Sequence, residues 1–120
     1  MSQFQSMSQF HNETSISPVA LASSPGGLVS IIDVRKPAAR AASGLAIPGA
    51  LWRHPFDAAN WADEFTGRQV AVYCVHGHEV SQAVRGFLTD LGMDAMSVEG
   101  GFEGWRQAGL PVEPVDDRHA

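Results

Sequence analysis

The sequence predicts an α/β fold in which a mostly parallel sheet is covered by helices on both faces. Three observations carry that expectation. Residues 28–32 and 70–73 are short, apolar, β-branched-rich runs, the composition of strands buried on both sides. Segments of helical composition alternate with such runs, the clearest being Ala83, Val84, Phe87, Leu88 and Leu91, which recur at helical spacing. The joining segments are short and carry glycine and proline. Strands and helices alternating over short loops build parallel sheets, and ligands bind such sheets at the carboxyl ends of the strands.

Taken in order, residues 1–13 read as a flexible tail: Met1-Ser2-Gln3-Phe4 recurs as Met7-Ser8-Gln9-Phe10 in a Ser/Gln-rich stretch with little to bury. Order is expected from Thr14, with one domain over 14–114 and a second tail at 115–120. Ser17-Pro18 opens a short helix through Ala22, because proline suits a first helical position. Pro25-Gly26-Gly27 is a turn, followed by the strand at 28–32, which runs into Asp33-Val34-Arg35. A short helix is expected from Pro37 to about Ala42, then a turn at Ile47-Pro48-Gly49-Ala50 feeding a strand at 50–52. Residues 55–64 are helical in composition, with Phe56, Trp61 and Phe65 as core candidates. After the strand at 70–73, Ser81 is a candidate N-cap for the next helix and Gly92 its C′ residue. A last strand over 94–98 leads through Gly100-Gly101 into a helix ending near Gln107, with Phe102 and Trp105 in the core and Gly104 at a close approach.

The bulk composition, 44% hydrophobic and 18% charged over 120 residues, is that of one ordinary globular domain. A net charge of −5 without a Lys/Arg cluster argues against a nucleic-acid partner. No apolar run approaches the roughly 20 residues that span a bilayer, so no membrane partner is expected. The first residues lack the basic start and apolar centre of a secretory signal, and a lone cysteine offers no disulfide. A cytoplasmic compartment is the expectation.

That cysteine, Cys74, stands at the end of the 70–73 strand, where Tyr73-Cys74-Val75-His76-Gly77-His78-Glu79-Val80-Ser81 runs through a glycine-containing loop into a helix. Loop and helix N–H groups converge at such a point and stabilise an anion, so a thiol there becomes a nucleophile. Gly77 allows the loop to curl with its N–H groups inward. A buried apolar cysteine is the common alternative for a free thiol.

Four segments together resemble the rhodanese family, the single-domain sulfurtransferases, over most of residues 14–112. They are Asp33-Val34-Arg35 after a strand, Ile47-Pro48-Gly49-Ala50, the Cys74 loop, and Gly100-Gly101-Phe102-Glu103-Gly104-Trp105 with Gly109-Leu110-Pro111-Val112. The resemblance implies a rhodanese-like sheet of about five strands and Cys74 as the catalytic residue, carrying sulfur as a persulfide. It implies substrate binding by Val75, His76, Gly77, His78, Glu79 and Val80, with structural support from Asp33, Arg35 and Ser81. The implied donor is thiosulfate or a persulfide or thiol compound, the acceptor a thiol or cyanide, with a protein acceptor as a further candidate. No cofactor and no metal are implied. The chain departs from the family at Ala46, where a histidine is usual, at His78 and Glu79 in the fifth and sixth loop positions, and at Ser81, one place later than the usual hydroxyl residue.

Glu79 near the sulfur would repel dianionic thiosulfate, although a carboxylate also suits a helix start. His76 and His78 are either aids to an anionic donor or plain surface imidazoles. Trp52, Arg53 and His54 either line the entrance or form a rim. Two rivals to the enzyme remain: a non-enzymatic sulfur-relay or binding module, and a cysteine phosphatase or arsenate reductase of related fold. The latter needs an oxyanion-clamping arginine at the sixth place after the cysteine, where this chain has Val80.

Overall fold

The computed structural model describes residues 14–115. The expected tails lie outside these residues except Val115, whose N–H donates to Gly44 O at 2.9 Å. The strands are β1 (Ser15–Ile16), β2 (Val29–Asp33), β3 (Leu45–Ala46), β4 (Leu51–Trp52), β5 (Gln69–Tyr73), β6 (Asp94–Val98) and β7 (Glu113–Pro114). Five of them form a parallel sheet in the order β1-β6-β5-β2-β4, and β3 pairs antiparallel with β7. The helices are α1 (Pro18–Ala22), α2 (Pro37–Ser43), α3 (Ala58–Trp61), α4 (Glu79–Asp90) and α5 (Gly101–Gln107). The chain is thus a five-stranded parallel α/β fold. The two-residue strands β1, β3 and β7 carry no periodic signal and escape a sequence reading.

Central strand β5 shows why both faces must be covered. Val70 and Val72 point to one side, packing with Trp61, Phe65, Val84 and Leu88. Ala71 and Tyr73 point to the other, toward Leu21, Phe102 and Trp105. Period-two alternation therefore feeds two separate cores from one strand. Ser17 caps α1 by accepting a hydrogen bond from Ala20 N–H, and Pro18 occupies its first turn. Gly92, at φ +86°, follows Leu91, the C-cap of α4, as expected of a C′ residue. A Cβ on Gly104 would meet Glu99 O at 2.6 Å, the close approach expected there.

Several expectations need correction. The strand at 28–32 is not buried throughout: Leu28 lies outside it and is exposed, and Val29, Ser30 and Ile31 are half-buried. Val29 and its partner Gln69 are the first residues of their strands, at the rim of the sheet. Phe56 is not core but 74% exposed. The 55–64 segment begins as a 3₁₀ turn, Pro55–Asp57, whose buried residue is Pro55, so the next side chain projects outward. On α4 the buried line is Ser81, Val84 and Leu88, leaving Ala83, Phe87 and Leu91 exposed. Ser81 is not an N-cap, because the helix starts two residues earlier, at Glu79.

Candidate active site

Strand β5 ends at Tyr73, so Cys74 emerges at the carboxyl edge of the sheet, buried at the base of the loop. Its thiol donates to Ser81 Oγ at 3.2 Å, and Ser81 is fully buried. The sequence supplies the loop but not this contact. Ser81 lies in the first turn of α4, and the helical path turns its side chain back over the sulfur.

The N-terminus of α5 orients the loop. Phe102 N–H donates to Cys74 O at 2.8 Å, and Glu103 N–H donates to Val75 O at 3.0 Å. Gln82 Nε2 donates to Gly77 O at 3.3 Å and to Ser97 Oγ at 3.1 Å. With these carbonyls engaged, the N–H groups of Val75, His76, Gly77 and His78 have no acceptor among the described residues. The first N–H groups of α4 add to them. The loop that follows the sulfur-bearing residue is therefore rich in N–H donors without a protein acceptor.

Two glycines make that contact possible. Gly77 has φ +77°, and a Cβ there would meet Gly101 N at 2.8 Å. Gly101 has φ +61°, and its Cβ would meet Cys74 O and Gly77 N at 2.5 Å each. Backbone therefore packs on backbone between the Cys74 loop and α5. The Gly-Gly segment before Phe102 thus backs the Cys74 loop, a role beyond starting a helix.

Below the loop, Asp33 and Arg35 form a buried ion pair. Arg35 Nη2 donates to Asp33 Oδ2 at 2.7 Å and to Leu45 O at 2.8 Å. Arg35 Nε donates to Asp33 Oδ1 at 3.0 Å. The guanidinium lies 4.6 Å from the Phe102 ring centre, and Trp52 Nε1 donates to Arg35 O at 2.8 Å. Burial works to lower the Arg35 guanidinium, and the hydrogen bonds and charge of Asp33 outweigh it, so its pKa is raised. Tyr73, fully buried, accepts from Ile47 N–H at 3.2 Å. Burial, with the Asp33 charge second, pushes the phenol well above its ordinary value.

A cavity of about 400 Å³ opens over Cys74, lined by Val75, His76, His78, Glu79 and Val80 from the loop and helix start. Arg35, Lys36 and Ala39 complete the opposite wall. Lys36 and Ala39, from the start of α2, carried no sequence signal. Gly77 does not line the cavity, since it faces Gly101, and Asp33 and Ser81 act from beneath it. His76 and His78 are exposed, their ring centres 6.3 Å apart. Trp52, Arg53 and His54 do not line it either. Arg53 pairs with Glu64 at 2.6 Å, and His54 accepts from Phe56 N–H. Among the described residues no group of three or more His, Cys, Asp or Glu could hold a metal ion, and no helix is long and apolar enough to cross a membrane.

The fold matches a rhodanese-related protein from Thermoplasma volcanium, at 28% identity and TM-score 0.73, covering 83% of this chain and 97% of that one. It also matches a rhodanese-like domain protein from Staphylococcus aureus, at 27% identity and TM-score 0.70, covering 86% of this chain and 99% of that one. In sequence, the chain is 39% identical over 72 residues to the thiosulfate sulfurtransferase GlpE of Actinobacillus pleuropneumoniae. That match covers 52% of this chain and 66% of the relative, a little under two thirds of its length. The Rhodanese-like domain profile matches residues 19–108. Those bounds take in both the Cys74 loop and the Gly-Gly segment that packs against it, and the chain belongs to the rhodanese-like domain family.

Proposed function

We propose that this protein is a sulfurtransferase that carries a sulfane sulfur on Cys74, taking it from a small donor and passing it to a thiol or cyanide. One observation carries the reading: the loop carbonyls of Cys74, Val75 and Gly77 are engaged by α5 and Gln82, while the N–H groups of Val75 to His78 have no acceptor among the described residues. Free N–H donors beside a thiolate stabilise the negative charge that moves during transfer. With thiosulfate, the Cys74 thiolate attacks the outer sulfur, forming a new S–S bond. The bond to the sulfonate sulfur breaks, sulfite leaves with the electron pair, and the cysteine persulfide remains as an anion. Cyanide then takes the outer sulfur as thiocyanate and regenerates the thiolate. As the lone cysteine, Cys74 has no resolving thiol in the same chain, so the sulfur must leave to another molecule.

The phosphatase reading lacks its clamp. The arginine that follows on α4, Arg85, bonds Thr89 one turn further along the helix and does not line the cavity. The relay-module reading differs from the enzyme in turnover alone. Incubation with thiosulfate and cyanide, without any partner protein, tests it. Sustained thiocyanate formation beyond one equivalent is expected. A single equivalent or none would favour a relay dependent on a partner.

A further inference from the structure

Beside the Cys74 cavity lies a second depression of about 270 Å³, formed between the 3₁₀ turn at Pro55–Asp57, α3 and the outer face of α4. Its lining side chains are all apolar: the exposed rings of Phe56 and Phe87, with Pro55, Val80, Ala83 and Val84. Phe56, at 74% exposure, and Phe87, at 38%, are large rings left in water next to a reactive centre. Neither ring contributes to the core clusters.

The two depressions adjoin. Val80 lines both. Lys36, on the wall of the Cys74 cavity, also places its ammonium 5.8 Å from the centre of the Phe56 ring. A molecule whose sulfur reaches Cys74 therefore has an apolar shelf within reach on the α4 side and a cation at the junction. The Cys74 side carries an exposed carboxylate, Glu79, which disfavours a doubly charged donor more than a singly charged one.

We infer that the groove between Phe56 and Phe87 is an extension of the substrate site that receives the apolar substituent of an organic sulfane-sulfur donor, a monoanionic thiosulfonate or persulfide. The inference rests on the sulfurtransferase reading and specifies its substrate class. The volume suits one aromatic or branched aliphatic group, and the lining offers no charged or hydrogen-bonding side chain to a polar one. For a thiosulfonate the step is balanced. The thiol proton leaves to solvent and the Cys74 thiolate attacks the terminal sulfur. The S–S bond to the sulfonyl group breaks, and the organic sulfinate leaves with the electron pair. Cysteine sulfur is oxidised to the persulfide level and the sulfonyl sulfur is reduced to sulfinate.

The test compares thiosulfate, methanethiosulfonate and benzenethiosulfonate as donors to cyanide. The two thiosulfonates share one charge and one reacting group, so their difference reads the substituent. Benzenethiosulfonate is expected to exceed methanethiosulfonate by about tenfold in kcat/KM, mainly through KM, as burial of one ring face allows. In Phe56→Ala and Phe87→Ala the ratio between these donors should collapse toward one. Both residues are exposed, so both variants are expected to fold. Equal kcat/KM for the two thiosulfonates, or a ratio unmoved in both variants, would overturn the groove while leaving the sulfurtransferase reading intact. Failure of all three donors would overturn both.

Discussion

The Cys74 thiol and the Ser81 hydroxyl meet at 3.2 Å inside the protein, joining the base of the loop to the first turn of α4. A hydroxyl can both accept and donate. It accepts from the protonated thiol, and rotation lets it donate once the sulfur is an anion. Ser81→Ala removes that donor from a buried site. A charge-assisted bond of about 1.5 kcal/mol corresponds to roughly tenfold in rate. Ser81→Ala should therefore lower kcat for persulfide formation by about that factor with KM nearly unchanged, measured by single-turnover kinetics. An unchanged kcat would show that the loop N–H groups suffice alone.

Gly101 should be intolerant of any side chain. A Cβ would strike Cys74 O and Gly77 N, both at 2.5 Å, at a backbone φ of +61° that alanine adopts with strain. Gly101→Ala is expected to cost about 3 kcal/mol of stability and to displace the loop. Denaturant unfolding measures the first effect and sulfur-transfer rate the second. Gly26→Ala, with nothing within 4 Å of the added atom and no left-handed backbone, is the matching control.

The buried phenol of Tyr73 gives a pH signature. Its pKa is raised by burial first and by the Asp33 charge second, so the folded state holds the proton more tightly than the unfolded chain. The resulting stabilisation is present in full below the unfolded tyrosine value of about 10. It is lost as the pH climbs from there toward the higher folded value, because the unfolded chain then binds fewer protons. The chain has one tyrosine, so tyrosinate absorbance reports this group alone. Absorbance should rise together with loss of tertiary structure by circular dichroism. A rise near pH 10 in the intact fold would contradict the buried, proton-holding environment.

Among the described residues, Glu79 is the one exposed carboxylate lining the cavity. Glu79→Gln should raise kcat/KM for thiosulfate several-fold, mainly by lowering KM, and the gain should shrink as salt rises. Kinetics unchanged at every salt concentration would mean that Glu79 serves only the start of α4.

What the sequence made legible was whatever local chemistry dictates. Ser17-Pro18 starts a helix wherever it stands, the 70–73 run is apolar enough to be a central strand, and Gly92 ends α4. Cys74 could be picked out because strand, thiol and glycine loop are contiguous. The rest of the site depends on contacts distant in sequence. Gly101 meets the loop from 27 residues beyond Cys74, and Lys36 and Ala39 join the cavity from a helix that follows a different strand. Helical spacing on α4 marked Phe87 and Leu91 as apolar, but only the docking of the helix decided that Ser81, Val84 and Leu88 face inward. Phe56 lies outside the core for the same reason: composition reveals an aromatic ring, and the 3₁₀ turn at Pro55 decides where it points.

If Cys74 itself carries the transferred sulfur, intact-protein mass spectrometry will detect it there. After incubation with excess thiosulfate and removal of the donor, the wild-type chain should gain the mass of one sulfur atom and lose it on adding cyanide. Cys74→Ser, nearly isosteric, should fold and gain nothing. An unmodified wild-type chain, or an equal gain in Cys74→Ser, would contradict the account.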